Sequence, residues 1–251
     1  MAIPIPEKRV AEFEKLGFGM FIHWGLYAMP ARHEWVKMRE KMTTEQYSKY
    51  FKYFDPDMYD PKEWARLAKA AGMKYAVMTT RHHEGFSLYD TRGLSKFDVM
   101  HSPTGRDLVK EFVDACRKED IVPFFYHTTL DWYDENFEKD FDAYLNYLYK
   151  SVEILCTQYG KIGGLWFDGN WSKPDADWKE DKLYKMIHHY QPEAMIINNT
   201  GLDARGCAGH PGIDSVTFEQ GRPTPMNREG MRKDLAAEMC QTINAHWGVG
   251  N

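Results

Sequence analysis

The stretch GGLWFDG at residues 163–169 is a short apolar run that is bounded by glycines and contains a single carboxylate. Successive side chains of a β-strand point to opposite faces, so Trp166 and Asp168 are expected to share one face. Leu165 and Phe167 then point to the other face. An aspartate at such a strand end can simply cap the following turn, but many glycosidases hold a nucleophile there, two residues after an aromatic ring. The stretch predicts a strand that delivers Asp168 to its carboxyl end.

Strands and helices alternate on both sides of this stretch. The clearest helix spans residues 60–72, where Asp60 is an N-cap, a proline takes the first helical position and Gly72 is the stop signal. Its apolar residues recur at helical spacing and predict a buried face made of Trp64, Leu67, Ala68 and Ala71. Other helices are predicted around residues 44–54, 109–116, 136–159, 177–190 and 228–243. Strands are predicted at residues 18–25, 75–80, 122–127, 163–169, 194–199 and 214–220.

This alternation predicts a parallel sheet with helices packed outside it. Polar and aromatic clusters follow the predicted strands: His23-Trp24, His82-His83, Tyr126-His127, Asp168 and Glu219. An open doubly wound sheet concentrates its ligands at one switch point, whereas a (β/α)8 barrel builds its active site from many strand ends. The sequence therefore favours a single α/β domain over residues 1–251, a (β/α)8-like, TIM-type barrel. Fewer strands are predicted than a closed barrel needs, so we expect irregular or incomplete closure at the C-terminal end and, because open edges associate, a homo-oligomer.

Composition and charge narrow the function classes. A net charge of −5 without long like-charged blocks argues against a nucleic-acid or anionic-membrane partner. No apolar run approaches the length of a membrane span, and the N-terminus lacks the basic-then-apolar pattern of a signal peptide. The four cysteines are widely spaced, which is typical of reduced thiols in a cytoplasmic protein. Aromatic residues make up 15% of the chain, so some rings are expected to stack on sugar faces.

A glycosidase needs two carboxyl groups, one of them with a pKa raised towards neutrality so that it can protonate the leaving oxygen. Asp168 is the predicted nucleophile. Glu219 lies at an equivalent strand end and is the predicted acid/base. Glu34 and Glu84 are alternatives for that role, and Glu84 could instead orient His83.

The run His82-His83-Glu84 also raises the question of a metal site. Adjacent residues in an extended loop diverge, whereas a helical zinc site spaces its histidines at i and i+4. We therefore predict no metal and no organic cofactor, and we interpret the two rings as hydrogen-bonding partners of vicinal hydroxyls. His188 and His189 lie on a predicted helix, away from the strand ends, and are expected at the surface.

Five segments, in this order, resemble the α-L-fucosidases of glycoside hydrolase family 29: FGMFIHWGLY (18–27), HEW (33–35), RHHEGF (81–86), LWFDG (165–169) and TINAHWG (242–248). The resemblance implies a (β/α)8-like barrel and a retaining exo-glycosidase that removes terminal α-linked L-fucose from oligosaccharides or glycoconjugates. It implies Asp168 as the catalytic aspartate and a fucose-binding set of His23, Glu34, Trp35, His82, His83, Tyr126 and Trp166. The assignment of Glu219 as acid/base rests on its order along the chain rather than on a motif. Arg205 is a further candidate for a position beside the sugar. Family members usually continue into more barrel and a C-terminal β-sandwich, which we expect this chain to lack.

The predicted mechanism is double displacement, in which Asp168 attacks the anomeric carbon and Glu219 protonates the departing oxygen. The two carboxyl groups are then expected roughly 5–5.5 Å apart. Two alternatives stay open. One is a non-hydrolytic fucose-binding barrel that lacks a competent acid/base, and the other is a metal-assisted hydrolase that uses His82, His83 and a carboxylate.

Overall fold

A computed structural model describes residues 2–250 of the chain. Seven strands form one sheet in which every pairing is parallel and the spatial order equals the chain order. The strands are β1 (Gly19–Ile22), β2 (Tyr75–Arg81), β3 (Val122–Thr128), β4 (Gly164–Asp168), β5 (Met195–Asn199), β6 (Ser215–Thr217) and β7 (Ala236–Glu238). The six predicted strands are confirmed, and a seventh follows them.

Among the described residues, the connections from β5 to β6 and from β6 to β7 contain no α-helix. α-Helices occupy each of the four connections from β1 to β5, as is usual for parallel pairing, and one precedes β1. They are α1 (Lys8–Leu16), α2 (Val36–Arg39), α3 (Thr44–Tyr47), α4 (Pro61–Ala70), α5 (Leu108–Lys118), α6 (Asn136–Lys139), α7 (Phe141–Gln158) and α8 (Glu180–Tyr190). The long helix predicted at 136–159 is two helices, because the Asp140 side chain accepts a hydrogen bond from the Ala143 N–H and starts α7 afresh.

The helix predicted at residues 228–243 is wrong. This segment holds β7, which pairs with β6 from Ala236 to Glu238. Its run of alanine, glutamate and methionine favours a helix locally, but pairing with the sheet overrides such a weak preference. The face predicted for α4 is partly wrong: Ala68 is buried as predicted, but Leu67 is 60% exposed and Ala71 is exposed, and the helix also buries Ala65.

The two faces of the sheet carry separate apolar cores. Leu165 and Phe167 of β4 belong to the large core between the sheet and the helices, as their alternation predicted. Trp166 belongs to a second cluster on the concave face, together with Phe124 and Tyr126 of β3. Helix α1 covers the amino ends of the strands, where its Phe13 ring lies 5.6 Å from Tyr75 and 5.7 Å from Phe124.

The sheet curls into a half-barrel. The Phe21 ring on β1 lies 5.3 Å from Trp166 on β4 and 5.7 Å from Trp247, which follows β7. We call residues 242–250 the closing segment, because it returns from β7 to the loop after β1. There the backbone N–H of His33 donates to the carbonyl oxygen of Val249, at 3.0 Å.

The coarser part of the fold prediction is confirmed: the chain forms an α/β fold with a curled parallel sheet. Within residues 2–250, all the strands belong to this one sheet, and no β-sandwich is present. None of the helices in these residues is long and apolar enough to cross a membrane.

Candidate active site

A cavity of about 930 Å³ opens at the carboxyl ends of the strands. Its lining includes eight of the predicted site residues: His23, Glu34, Trp35, His82, Tyr126, Trp166, Asp168 and Glu219. His83, the ninth, lies directly behind it, with its Nε2 atom 3.5 Å from Asp168 Oδ2. The structure therefore brings all the predicted site residues to one place, whereas Arg205 is directed to the backbone carbonyl of Glu219.

Asp168 ends β4 and accepts hydrogen bonds on both carboxyl oxygens. Tyr126 donates its hydroxyl to Oδ2 at 2.9 Å, and the indole N–H of Trp171 donates to Oδ1 at 2.8 Å. Asn199 Nδ2 also donates to Oδ1, at 3.1 Å. These donors hold the carboxylate at a fixed position and angle, which is what an attacking nucleophile requires.

The turn after Asp168 requires glycine. Gly169 has a φ of 124°, and a Cβ atom there would lie 2.4 Å from the backbone nitrogen of Leu130. A larger residue would displace this loop or the end of β4. The glycine that bounds the predicted strand is therefore explained by close backbone contact.

The environment of Asp168 affects its protonation in two opposing ways. Burial raises the pKa of the carboxyl group, while the hydrogen bonds from Trp171, Tyr126 and Asn199 favour the ionised form and oppose this rise. The net effect is a pKa above the usual value for aspartate. The group is thus a carboxylate that has been desolvated without losing its hydrogen-bond donors.

Glu219 lies two residues beyond β6 and faces Asp168. The indole N–H of Trp247 donates to its Oε1 at 2.9 Å, and Asn199 Nδ2 donates to its Oε2 at 2.8 Å. Burial, followed by the negative charge of Asp168, raises the pKa of Glu219 above its ordinary value. A carboxyl group with a raised pKa keeps its proton at higher pH, which suits a general acid.

The two carboxyl groups are close together because both accept from the same nitrogen. Asp168 Oδ1 and Glu219 Oε2 lie 3.1 and 2.8 Å from Asn199 Nδ2, so they are separated by no more than the sum of these distances, about 5.9 Å. Retaining glycosidases hold their carboxyl groups about 5–5.5 Å apart, whereas inverting enzymes need about 6.5–9.5 Å to admit a water molecule. The upper limit on this oxygen–oxygen distance is closer to the retaining range than to the inverting range.

The alternative carboxylates have other surroundings. Glu34 lines the same cavity, where its Oε2 accepts from the backbone N–H of Gly248 at 2.9 Å and lies 3.3 Å from His33 Nδ1. Glu84 is buried outside the cavity lining, with its Oε2 atom 3.5 Å from His82 Nδ1. Glu84 therefore faces His82 rather than His83, contrary to the sequence-based alternative.

The histidines form a contiguous cluster. His82 lies 5.1 Å from His23 and 4.2 Å from His83, between ring centroids, so the adjacent pair does not diverge as the sequence analysis expected. The peptide turns after β2 and places both rings on the same side. Burial lowers the pKa of His23 and His83, and the neighbouring imidazoles lower it further. Neutral imidazoles of this kind can both donate to and accept from sugar hydroxyls.

Aromatic rings line the rest of the cavity. Trp35 lies nearly parallel to Trp171, with the centroids 6.0 Å apart and the planes inclined by 13°. On the other side Trp166 stacks on Tyr126 at 5.5 Å and 19°. Such surfaces match the apolar faces of a pyranose ring. Of these four residues, only Trp171 was missed by the sequence analysis, although it lies only three positions after Asp168.

Within residues 2–250, no three histidine, cysteine, aspartate or glutamate side chains are arranged to hold a metal ion. His188 and His189 lie on α8, away from this cavity; His189 is exposed, and His188 is half-buried with its Nε2 atom 3.8 Å from Asp214 Oδ2.

The structure also reveals a buried acid beneath the cavity that the sequence analysis missed. Glu238 on β7 accepts a hydrogen bond from the indole N–H of Trp166 at 3.1 Å. Burial, assisted by the charge of Glu219, raises the pKa of Glu238 to about 7. The residue escaped notice because its segment was assigned to a helix, where no strand-end position was expected.

The substitution Glu238→Gln is expected to flatten the dependence of folding stability on pH. Because the folded-state pKa of about 7 exceeds the ordinary value of 4.5, stability is lost as the pH rises from the lower to the higher value. The loss should be on the order of 3 kcal/mol for a fully buried group. Urea unfolding at about pH 5 and pH 8 should show wild type losing this much more than the variant. The exposed-residue control Glu45→Gln should lose as much stability as wild type. A loss in Glu238→Gln that differs from the wild-type loss by less than about 1 kcal/mol would contradict the prediction.

Comparison with known proteins assigns the chain to a family. The α-L-fucosidase family matches residues 6–250. The tissue α-L-fucosidase of Homo sapiens is 27% identical over 270 residues, which cover 98% of this chain and 55% of the human protein. The chain thus spans about half the length of the curated relatives it matches.

Solved structures agree in fold. α-L-fucosidase isoenzyme 1 from Paenibacillus thiaminolyticus is 41% identical with a TM-score of 0.85, over 96% of this chain and 62% of that one. A Bacteroides thetaiotaomicron GH29 α-L-fucosidase, solved as a trapped covalent intermediate with 2-fluoro-fucosyl fluoride, is 29% identical with a TM-score of 0.73, over 79% of this chain and 50% of that one. AlfC from Lactobacillus casei, solved with its α-L-fucose product, is 25% identical with a TM-score of 0.79, over 97% of this chain and 82% of that one. The chain belongs to the α-L-fucosidase family, glycoside hydrolase family 29.

Proposed function

We propose that this protein is a retaining exo-glycosidase that hydrolyses terminal α-linked L-fucose from oligosaccharides or glycoconjugates. The observation that carries the proposal is the pair of carboxyl groups bridged by Asn199, with their facing oxygens no more than about 5.9 Å apart, inside a cavity of histidines and aromatic rings. The family membership supports fucose as the sugar, as does the covalent intermediate trapped in the Bacteroides enzyme.

The reaction proceeds in two displacements. Asp168 Oδ attacks the anomeric carbon while Glu219 gives its proton to the departing oxygen, and a fucosyl ester forms as the glycosidic bond breaks. Glu219, now ionised, takes a proton from water as the water attacks the anomeric carbon. L-fucose leaves with retention and Asp168 is regenerated. The raised pKa of Glu219 supports its role as a protonated acid, and the hydrogen-bond donors on Asp168 support the ionised nucleophile by opposing the rise in pKa that burial causes.

The remaining site residues bind the sugar. His23, His82, His83 and Glu34 hold the ring hydroxyls, while Trp35 and Trp166 pack against the apolar side of the sugar and its methyl group. Tyr126 acts through Asp168, to which its hydroxyl donates. A pocket of about 930 Å³ also leaves room for part of the group to which fucose is attached. Neither metal nor organic cofactor takes part in this scheme.

The fold that carries this site is proposed to be a (β/α)8-like barrel with irregular closure. Contacts between the loop after β1 and the closing segment support this interpretation: Trp247 packs 5.4 Å from the His23 ring, and His246 packs 4.3 Å from His33. Within residues 2–250, the outer edges of β1 and β7 pair with no further strand of the sheet, which supports the prediction of a homo-oligomer; light scattering would test it. A cytoplasmic location likewise stays a prediction.

The direct test is incubation of the purified protein with 4-nitrophenyl α-L-fucoside. We expect release of 4-nitrophenol together with L-fucose, and proton NMR should show the α-anomer forming first, because both displacements invert the anomeric carbon. Fucose binding in a calorimeter without turnover would instead support the non-hydrolytic alternative. Loss of activity with a chelator, restored by a metal ion, would support the metal-assisted one.

A further inference from the structure

Asn199 occupies the position between the two carboxyl groups. It ends β5, directly beside Asp168 in the register of the sheet, and its side chain is buried, with 3% of the residue exposed. Its amide nitrogen carries two hydrogens. One reaches Asp168 Oδ1 at 3.1 Å, and the other reaches Glu219 Oε2 at 2.8 Å.

The orientation of this amide is fixed by its other end. Asn199 Oδ1 accepts from the backbone N–H of Gly201 at 3.1 Å and from the hydroxyl of Thr217, also at 3.1 Å. A flipped amide would set its N–H group against the N–H of Gly201 and its oxygen against two carboxylates. Both changes are unfavourable, so the nitrogen must face Asp168 and Glu219.

We propose that Asn199 is a positioning residue that holds the nucleophile and the acid/base at the separation required for double displacement and offsets the repulsion between them. This inference rests on the proposed function. Negative charge resides on Asp168 before the first displacement and on Glu219 after it. The same amide nitrogen donates to both groups, so a donor faces the charge in each state without any movement of the chain.

No other side chain of this size can donate a hydrogen bond to each of the two carboxyl groups. Leucine has a similar shape but no donor, and aspartate would add a third carboxylate between two others. With either residue, Asp168 and Glu219 lose a donor that favours their ionised forms, and both therefore hold their protons to higher pH. The expected signature is a movement of the whole bell-shaped pH profile, rather than a loss of activity alone.

The test compares the pH profiles of kcat/KM for wild type, Asn199→Leu and Asn199→Asp with an aryl α-L-fucoside. Both variants are expected to move both limbs upward by about one pH unit, further for aspartate, and to lower kcat by roughly 10²-fold at neutral pH. KM should change much less, because no sugar contact is removed. A purely structural role would lower the amount of folded enzyme and leave the limbs where they are.

The neighbouring Asn198 provides a matched control on the same strand. Its Nδ2 atom donates to the Tyr184 hydroxyl at 2.9 Å on the helix side of the sheet, away from the cavity. Asn198→Leu is expected to lower thermal stability but to keep the wild-type pH profile. Because Asn199 variants could misfold, Thr217→Val serves as a milder probe, since it removes only one donor to Asn199 Oδ1 and should move the limbs in the same direction by a smaller amount.

The outcomes separate the two proposals. If wild type turns over no fucoside, the proposed function fails. If wild type is active but folded Asn199→Leu and Asn199→Asp keep both limbs within about 0.2 pH unit and kcat within about twofold, the positioning role is overturned. If neither variant folds and Thr217→Val keeps the wild-type profile, the role is overturned as well.

Discussion

Replacement of Asp168 by glycine is expected to lower kcat for an aryl α-L-fucoside by roughly 10³-fold or more. The substitution removes the oxygen that we propose as the attacking atom, and with it the covalent route. Tyr126 and Trp171 would keep their places, because each is held by ring contacts with Trp166 or Trp35 as well as by its hydrogen bond to the carboxylate. Substrate binding should therefore persist while the first displacement stops.

The glycine also leaves a space that a small anion can fill. Added azide should restore turnover of an activated aryl fucoside and form β-L-fucosyl azide, since it attacks from the face that Asp168 vacates. NMR of the product distinguishes this from rescue at any other site. Asp175, an exposed carboxylate on the same loop, offers a matched control, and Asp175→Gly should act like wild type. Full activity in Asp168→Gly, or α-L-fucosyl azide as its product, would show that another group is the nucleophile.

Much of the fold follows from local sequence signals. The strand at 163–169 was predictable because glycines bound a short apolar run, and the alternation of Trp166 with Phe167 assigned each ring to the correct core. The strand β7 was not predictable, because three residues with helical preference form it and only pairing with β6 explains it. Leu67 shows the same limit, since periodicity gives a face but not its exact rotation.

The candidate site was likewise predictable where it depends on strand ends, and not where it depends on tertiary contacts. Asp168, Glu219 and the histidines could be predicted to lie together because each lies at or just after a strand end, and parallel strands bring those ends together. Asn199 also lies at the end of a predicted strand, but it was not a candidate because an amide cannot act as a nucleophile or as an acid/base, as a carboxylate can. Trp247 was recognised within a motif but not as a donor to Glu219, because that contact depends on how the closing segment returns to the sheet.

The proposed role of Glu219 as acid/base predicts that the rate of the first displacement depends on the leaving group. In Glu219→Ala, the first displacement has no proton donor, so fucosides with poorly acidic alcohols or phenols should slow by roughly 10³-fold. The leaving group of a dinitrophenyl fucoside needs little protonation, so the first displacement should slow far less with this substrate. The limb of the pH profile on the alkaline side should also disappear, because in wild type it reports loss of the proton that the raised pKa of Glu219 retains.

The second displacement supplies an independent check, because it loses its general base in the same variant. A dinitrophenyl fucoside should give a burst of phenol followed by slow turnover as the fucosyl ester on Asp168 accumulates. Azide needs no general base and should accelerate the slow turnover that follows the burst. The product should be α-L-fucosyl azide, the opposite anomer from the one expected with Asp168→Gly. Glu34→Ala is the critical comparison, since Glu34 lines the same cavity. Equal slowing of good and poor leaving groups in Glu219→Ala, with leaving-group dependence appearing in Glu34→Ala instead, would transfer the acid/base role to Glu34.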